Sequence, residues 1–271
     1  LPASGVKYVA VSPDYSSNTG MIVYTLARSD RTELWRYEMA TGRNFLILSQ
    51  AGLSIRNPVF IGTTGGGGQM LAYIGTVNGV QDIYVVNADG MNNYKVTANT
   101  APTPQYEDLQ SSVRTLTVGY NDPTGSLLVY SKRSWLTYNY GAWDVYLLAV
   151  NRSSPAVWTE YNLTNTSGIS EMSPCFVGDP GAPHPPAYLG GEILYSMPFF
   201  QPDAEIWQAN YDIQPANSGT LKLQRVSAAG TAYGMVNWGP VSVPAGGVTP
   251  ITPDDMVIVW TGGAGPQIFR A

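Results

Sequence analysis

The chain has 271 residues, 44% of them hydrophobic, which is enough to build one all-β domain with a sizeable core. Charged residues make up only 12%, the formal net charge is −5, and no basic cluster exists to neutralise phosphates, which excludes nucleic acid as a partner. No apolar run approaches the roughly 18 residues a membrane-spanning helix needs, and one histidine and one cysteine rule out an intrachain disulfide and a zinc site of N/S ligands.

Leu1–Lys7 contains Pro2 and Gly5 and precedes the first strand, expected over Tyr8–Asp14. Next come an apolar run, Met21–Tyr24, then Glu33-Leu34-Trp35, then a fourth β-prone run at Phe45–Leu48. The second unit is the clearest: Asn57–Phe60, Met70–Tyr73, Asp82-Ile83-Tyr84 and Tyr94–Thr97, with turn dipeptides at Asn78-Gly79 and Asp89-Gly90. Both dipeptides tolerate the positive φ of tight hairpin turns, so the unit is an antiparallel meander. Gly65–Gly68 between its first two strands has no following helix or Lys-Ser/Thr, so it makes a turn rather than a phosphate loop.

Thr100–Asp108 is expected to be a connector between units. The third unit has Leu116–Gly119, Leu127–Tyr130, Asp144-Val145-Tyr146 and Glu160–Leu163, with an insertion at Ser131–Ala142. The fourth has Ser173–Val177, Ile193–Tyr195, Glu205-Ile206-Trp207 and Leu221–Val226, with an insertion at Gly178–Gly191. The fifth has Val236–Trp238, Ile258–Trp260 and a weaker Gln267-Ile268-Phe269, and no fourth run. No stretch has the periodicity of a helix.

One pattern is therefore written five times, over approximately 8–50, 57–99, 113–167, 172–228 and 235–271. The acid-aliphatic-aromatic motif recurs at intervals of 49, 62, 61 and 62 residues. Four strands per repeat without room for a crossover helix predict radially arranged antiparallel sheets: an all-β, single-domain, five-bladed β-propeller whose last blade lacks its own fourth strand. A blade cannot bury both faces alone, so neighbouring blades must supply the core. Residues 1–7 are short but suitably placed to latch the fifth blade; otherwise its edge stays open to another chain.

The second unit, with its Asp-Ile-Tyr-Val-Val-Asn-Ala-Asp-Gly, resembles the TolB-type propeller repeat. Ser12-Pro13-Asp14 is similar to that repeat's Ser-Pro-Asp-Gly turn, with Tyr15 in place of the glycine. The resemblance implies a propeller and, by family habit, a periplasmic or secreted binding scaffold or a propeller domain attached to a peptidase or lyase. It carries over no catalytic residue.

Few residue sets could carry chemistry. His184, the sole histidine, lies in Gly-Ala-Pro-His-Pro-Pro and lacks the rigid setting of a tuned base; no Gly-x-Ser-x-Gly elbow occurs. Cys175, between Pro174 and Phe176, reads as a buried inert thiol. Glu33, Asp82, Asp144 and Glu205 begin equivalent strands, so symmetry sets them at one height: either a carboxylate ring for a cation or acid–base pair, or turn acceptors serving each blade. Asp122-Pro123 and Asp179-Pro180 are faint echoes of a five-bladed glycosidase. Trp135, Tyr138, Tyr140 and Trp143 offer flat faces to a sugar or a protein partner, or pack over the blade edge. Sequons stand at Asn151, Asn162 and Asn165.

These readings predict no catalytic residue, no metal and no cofactor. The leading expectation is a non-catalytic extracellular or cell-envelope scaffold that binds a protein partner, or itself, through the final-blade edge. A carbohydrate-binding lectin or five-bladed glycosidase is one alternative. A propeller domain cut from a larger enzyme, with chain continuing beyond residue 271, is the other.

Overall fold

The hairpins are set by local turn chemistry. Val77 pairs with Val80 across Asn78-Gly79, whose φ values of 51° and 78° match the right-handed twist of the flanking strands. The computed structural model describes residues 8–9, 14–16, 20–63, 68–100, 104–111, 125–133, 141–151, 158–176, 190–197, 205–212, 222–225, 236–238, 257–262 and 265–270. Among them there is no helix, and all the strand pairing is antiparallel.

The first sheet comprises β1 (Tyr8–Val9), β2 (Asp14–Ser16), β3 (Met21–Ala27), β4 (Thr32–Glu38) and β5 (Arg43–Leu48). Both β1 and β2 pair with β3, at the two ends of the strand expected over Tyr8–Asp14, and residues 10–13 lie outside the described residues. The second sheet runs β6 (Leu53–Thr63), β7 (Gln69–Val77), β8 (Val80–Asn87) and β9 (Tyr94–Lys95). In the third, β10 (Gln105–Ser111), β11 (Gly125–Arg133), β12 (Asp144–Asn151) and β13 (Trp158–Asn162) follow in order. The fourth holds β14 (Met172–Phe176), β15 (Gly190–Met197), β16 (Glu205–Asp212) and β17 (Lys222–Arg225). The last described sheet has three strands, β18 (Val236–Trp238), β19 (Val257–Gly262) and β20 (Gly265–Arg270).

Two expectations need correction. The third sheet opens with Gln105–Ser111, which begins within the stretch read as a connector and runs past it, whereas Leu116–Gly119 lies outside the described residues. The strand was disguised because a register shift between Glu107 and Gln110 breaks its alternation, leaving Tyr106 and Leu109 as its described buried apolar residues. The first strands of the second and fourth sheets carry the same shift, and each has a left-handed residue at it: Asn57 (φ 47°), Asp108 (φ 53°) and Ser173 (φ 55°). The second correction concerns Trp260, which ends the fifth apolar run as Tyr24, Tyr73, Tyr130 and Tyr195 end theirs and is expected from the repeat to hold the same place. Tyr24, Tyr73, Tyr130 and Tyr195 sit opposite Trp35, Tyr84, Tyr146 and Trp207, but Trp260 sits opposite Gln267, and Phe269 opposite Ile258. The match of Trp260 to the four tyrosines is off by two residues, because the last hairpin closes sooner, at Gly262 and Gly265.

Sheets stack face to face in chain order. Along β7, Leu71 and Tyr73 join Val23, Leu34 and Ile47 of the first sheet in one core, while Met70, Ala72 and Ile74 join Tyr106, Leu128, Tyr130 and Leu148 of the third in another. Likewise Leu127 and Val129 of β11 turn the other way, onto Ile193 and Tyr195 of the fourth sheet. Period-2 geometry sends alternate residues to opposite faces, and here both faces are dry. The first strands β6, β10, β14 and β18 neighbour one another in sequence order.

The first two sheets also meet at a turn. Arg36 Nη1 donates to Ala88 O (2.6 Å), and at Gly90 (φ 87°) an added Cβ would lie 2.3 Å from Ile47 O. A side chain there faces both left-handed strain and a fixed backbone atom. We expect Gly90→Ala to cost ~2–3 kcal/mol, read as a lowered urea midpoint; an unchanged midpoint would show that the two sheets do not depend on this contact.

Candidate functional site

The repeated acids are where the sequence points first, and Glu33, Asp82 and Asp144 are each engaged within their own sheet. Asp82, buried at the start of the motif on β8, accepts from Thr97 Oγ1 and Asn99 N (both 2.9 Å) through Oδ1, and its Oδ2 lies 2.6 Å from Lys95 Nζ. Thr97 Oγ1 also accepts from Ile83 N (2.9 Å). Asp144 repeats the device: Thr166 N donates to Oδ1 (3.1 Å) and Asn162 Nδ2 to Oδ2 (3.0 Å), while Thr164 Oγ1 accepts from Val145 N (3.0 Å). In this acid–threonine clasp, in both sheets, the acid takes a backbone N–H from the segment after the fourth strand and a threonine hydroxyl takes the N–H of the next residue; only in the second does that hydroxyl also donate to the acid. Thr97 and Thr164, each after an apolar residue, were legible as a repeated pair that the motif reading missed.

Glu33 solves the problem differently. Arg28 Nε and Trp35 Nε1 donate to Oε2 (3.0 Å each), and Arg31 Nη2 to Oε1 (3.2 Å). Burial pushes this carboxyl up, but the hydrogen bonds and the Arg28 charge outweigh it and hold it below the ordinary carboxylate range. Glu205 opens β16, and its side chain lies outside the described residues. Among the described residues no three His, Cys, Asp or Glu side chains are grouped to share a metal ion.

A second repeated link runs from the second strand to the fourth. Tyr24 OH donates to Asn44 Oδ1 (2.7 Å), Tyr73 OH to Asn93 Oδ1 (2.9 Å) and Tyr130 OH to Glu160 Oε1. Each acceptor lies two residues before the residue paired with the third-strand aromatic. Tyr73 stacks on Tyr84 at 5.2 Å and Tyr130 on Tyr146 at 6.0 Å. Lys132 Nζ pairs with Glu160 Oε2 (2.6 Å) and stands 4.6 Å from the Tyr146 ring centre. Burial, then the Glu160 charge, drives the Tyr130 hydroxyl well above its ordinary range, so this cluster holds its protons rather than supplying a base.

Consecutive first strands are tied side to side. Arg56 of β6 donates to Glu107 Oε1 (2.5 Å) and Tyr106 O (2.6 Å) of β10. Asp108 Oδ2 of β10 accepts from Ser173 N (3.1 Å) and Oγ (3.3 Å) of β14. Burial, reinforced by the neighbouring Glu107 charge, raises the Asp108 carboxyl.

Of the aromatic cluster, Trp143 is buried, with the Arg133 guanidinium 4.6 Å over its ring, so it packs rather than presents a face. Trp135, Tyr138 and Tyr140 lie outside the described residues, as do His184, Gly65–Gly67 and residues 1–7. Cys175 is buried, 4% exposed. Asn162 is occupied, donating to Asp144 and to Tyr146 OH (3.0 Å) and accepting from Asn165 N (3.0 Å). Asn165 is exposed with φ 47°, and the Asn151 side chain lies outside the described residues.

Thr97→Val keeps the shape of the clasp while leaving Ile83 N–H without an acceptor and Asp82 short of a donor. We expect a loss of ~1–3 kcal/mol in chemical denaturation, against less than ~0.5 kcal/mol for breaking the exposed Arg31–Asp30 pair. Equal small losses would make the clasp incidental.

No protein-family model matches the sequence, and no curated protein does. Solved structures do match. TolB from Acinetobacter baumannii superposes with a TM-score of 0.51 at 12% identity, over 100% of this chain and 56% of that one. An oligogalacturonate lyase in complex with manganese gives 0.54 at 15% identity, over 100% and 66%. The α-L-arabinanase of Penicillium chrysogenum, complexed with arabinobiose, gives 0.57 at 14%, over 100% and 80%. The chain therefore spans between about half and two thirds of the length of the first two. At such identities the likeness is one of fold: this chain has a TolB-like β-propeller fold.

Proposed function

We propose that the chain is a five-bladed β-propeller acting as a non-catalytic extracellular or cell-envelope scaffold, which binds an extended strand of a protein partner or of a second copy along β20. One observation carries this reading. Each of the first four sheets closes with an outer strand after its acid-aliphatic-aromatic strand, whereas β20, bearing Gln267-Ile268-Phe269, is the last described strand of its sheet. An unpaired edge presents alternating N–H and C=O groups, and such edges recruit strands. The described acids support a scaffold rather than an enzyme, since Glu33, Asp82 and Asp144 are spent on clasps within their own sheets. Low charge and abundant hydroxyl, amide and tyrosine side chains suit the extracellular or envelope setting.

A glycan-binding or glycosidic role would need open carboxylates or free aromatic faces. The described members of those sets, Glu33, Asp82, Asp144 and Trp143, are engaged in packing and hydrogen bonding.

Along a strand, successive N–H groups point to opposite edges, so one of two neighbouring positions on β20 must donate outward. Gln267→Pro and Ile268→Pro are therefore made as a pair. Sedimentation velocity and crosslinking with electron microscopy should show strand-mediated assembly that one of the two prolines abolishes while the monomer stays folded. Closed monomers at every concentration, with residues 1–7 seated beside Gln267–Phe269, would sink self-assembly.

A further inference from the structure

The repeat breaks its own rules at one place, between the third and fourth sheets. Glu171 stands two residues before the left-handed Ser173. The matching residues of the second and third sheets are Ile55 and Tyr106, both buried and apolar, 3% and 1% exposed. Glu171 is 0% exposed, so a carboxyl occupies a position the fold otherwise gives to the core. Its backbone N donates to Trp143 O (2.8 Å), and Thr166 Oγ1 donates to Oε1. Oε2 is buried without a hydrogen-bond partner.

The second departure faces the first. Tyr195 is the fourth sheet's counterpart of Tyr24, Tyr73 and Tyr130, yet the register brings Leu223 to the position that supplies their acceptors, and leucine has none. The Tyr195 hydroxyl, also 0% exposed, has no partner among the described residues and lies within electrostatic reach of Glu171. Ser131, on the face of β11 that carries Leu127 and Val129 toward the fourth sheet, has a third buried hydroxyl with no partner.

The charge that bears on Glu171 is negative, while the Arg133 guanidinium is stacked over Trp143. Asp144 of β12 bears on Glu171 from the third sheet; Thr164 and Thr166 reach it from the segment after β13; Tyr195 faces it from β15. Asp108 of β10 sits at the same seam, bonded to Ser173 of β14. Among the described residues no lysine or arginine pairs with Glu171. The seam between the second and third sheets, by contrast, carries its own cation in Arg56.

We propose that Glu171, set against Tyr195 in this seam, is a proton-operated latch: protonated, it lets the third and fourth sheets close on each other, and ionised, it loosens them. Burial is the main cause that raises the carboxyl from an ordinary 4.5 to about 7; the Thr166 and Thr164 hydroxyls pull against it and the Asp144 charge adds to it. A carboxyl raised in the folded state contributes stability that is whole below its unfolded value and is lost as pH rises through the folded one. The window is therefore from about pH 4.5 to about 7, with a plateau above. Asp108, also raised, acts in the same sense. The latch is independent of what binds β20.

The test is amide exchange of β14 and β15, corrected for intrinsic rates, together with thermal unfolding of the full chain between pH 5 and 8. In the wild type, opening should rise by up to about tenfold per pH unit toward neutrality and then level off. Glu171→Gln should flatten this rise. Tyr195→Phe, which removes a hydroxyl able to donate to the carboxylate, should move the plateau to higher pH. An unchanged profile in Glu171→Gln overturns the proposal, and so does a Tyr195→Phe profile identical to the wild type. If Na⁺, K⁺ or Ca²⁺ restores the closed seam at pH 8 in the wild type but not in Glu171→Gln, a cation rather than a proton is the ligand, and the latch is likewise overturned.

Discussion

Everything in this molecule depends on strands that are dry on both faces. In β7 every residue from Met70 to Gly75 is buried, with Leu71 and Tyr73 committed to the first sheet and Met70, Ala72 and Ile74 to the third. Each fully buried aliphatic side chain contributes ~1.5–3 kcal/mol, and a lone four-stranded meander would forfeit half of that by leaving one face wet. Sheets of this composition have to stack, and a stack that turns about one direction is the propeller arrangement. The arrangement also explains how a chain with so few charges keeps a surface: the polar side chains are concentrated in turns, first strands and outer strands.

Burying that much strand creates a second constraint, because buried polar groups need partners. The sheets meet it with two recurring links, the acid–threonine clasp and the tyrosine hydroxyl that reaches the fourth strand. Both tie the outermost strand to the interior of its own sheet, where the ladder is shortest; β9 is only two residues long. This accounts for the repeated acids without invoking chemistry. It also gives meaning to exceptions. Glu33 is held by arginines instead of a threonine, and the seam around Glu171 and Tyr195 leaves hydroxyl and carboxyl oxygens unmatched.

The structural likenesses join a TolB, a lyase and an arabinanase at 12–15% identity. What they share is the stack of sheets, a scaffold whose core residues say nothing about what its loops and edges bind. Function in this chain must therefore be argued from departures from the repeat: the edge of β20 and the polar seam at β14.

The sequence alone determined the all-β class, the repeat, and the second and third strands of every unit, because their apolar runs ending in an aromatic survive in every copy. It also determined that the acids recur in register. What it could not reveal was Gln105–Ser111 as a strand: a bulge and a left-handed Asp108 interrupt its alternation, and the residues it buries belong to a core completed by another sheet. The offset of Trp260 was hidden for a related reason, since pairing is fixed by where the hairpin closes rather than by which residues look alike. Only tertiary structure showed Glu33, Asp82 and Asp144 bound within their own sheets and Glu171 within electrostatic reach of Tyr195, because which donors meet a carboxyl and how deeply it is buried are decided by how strands and sheets pack.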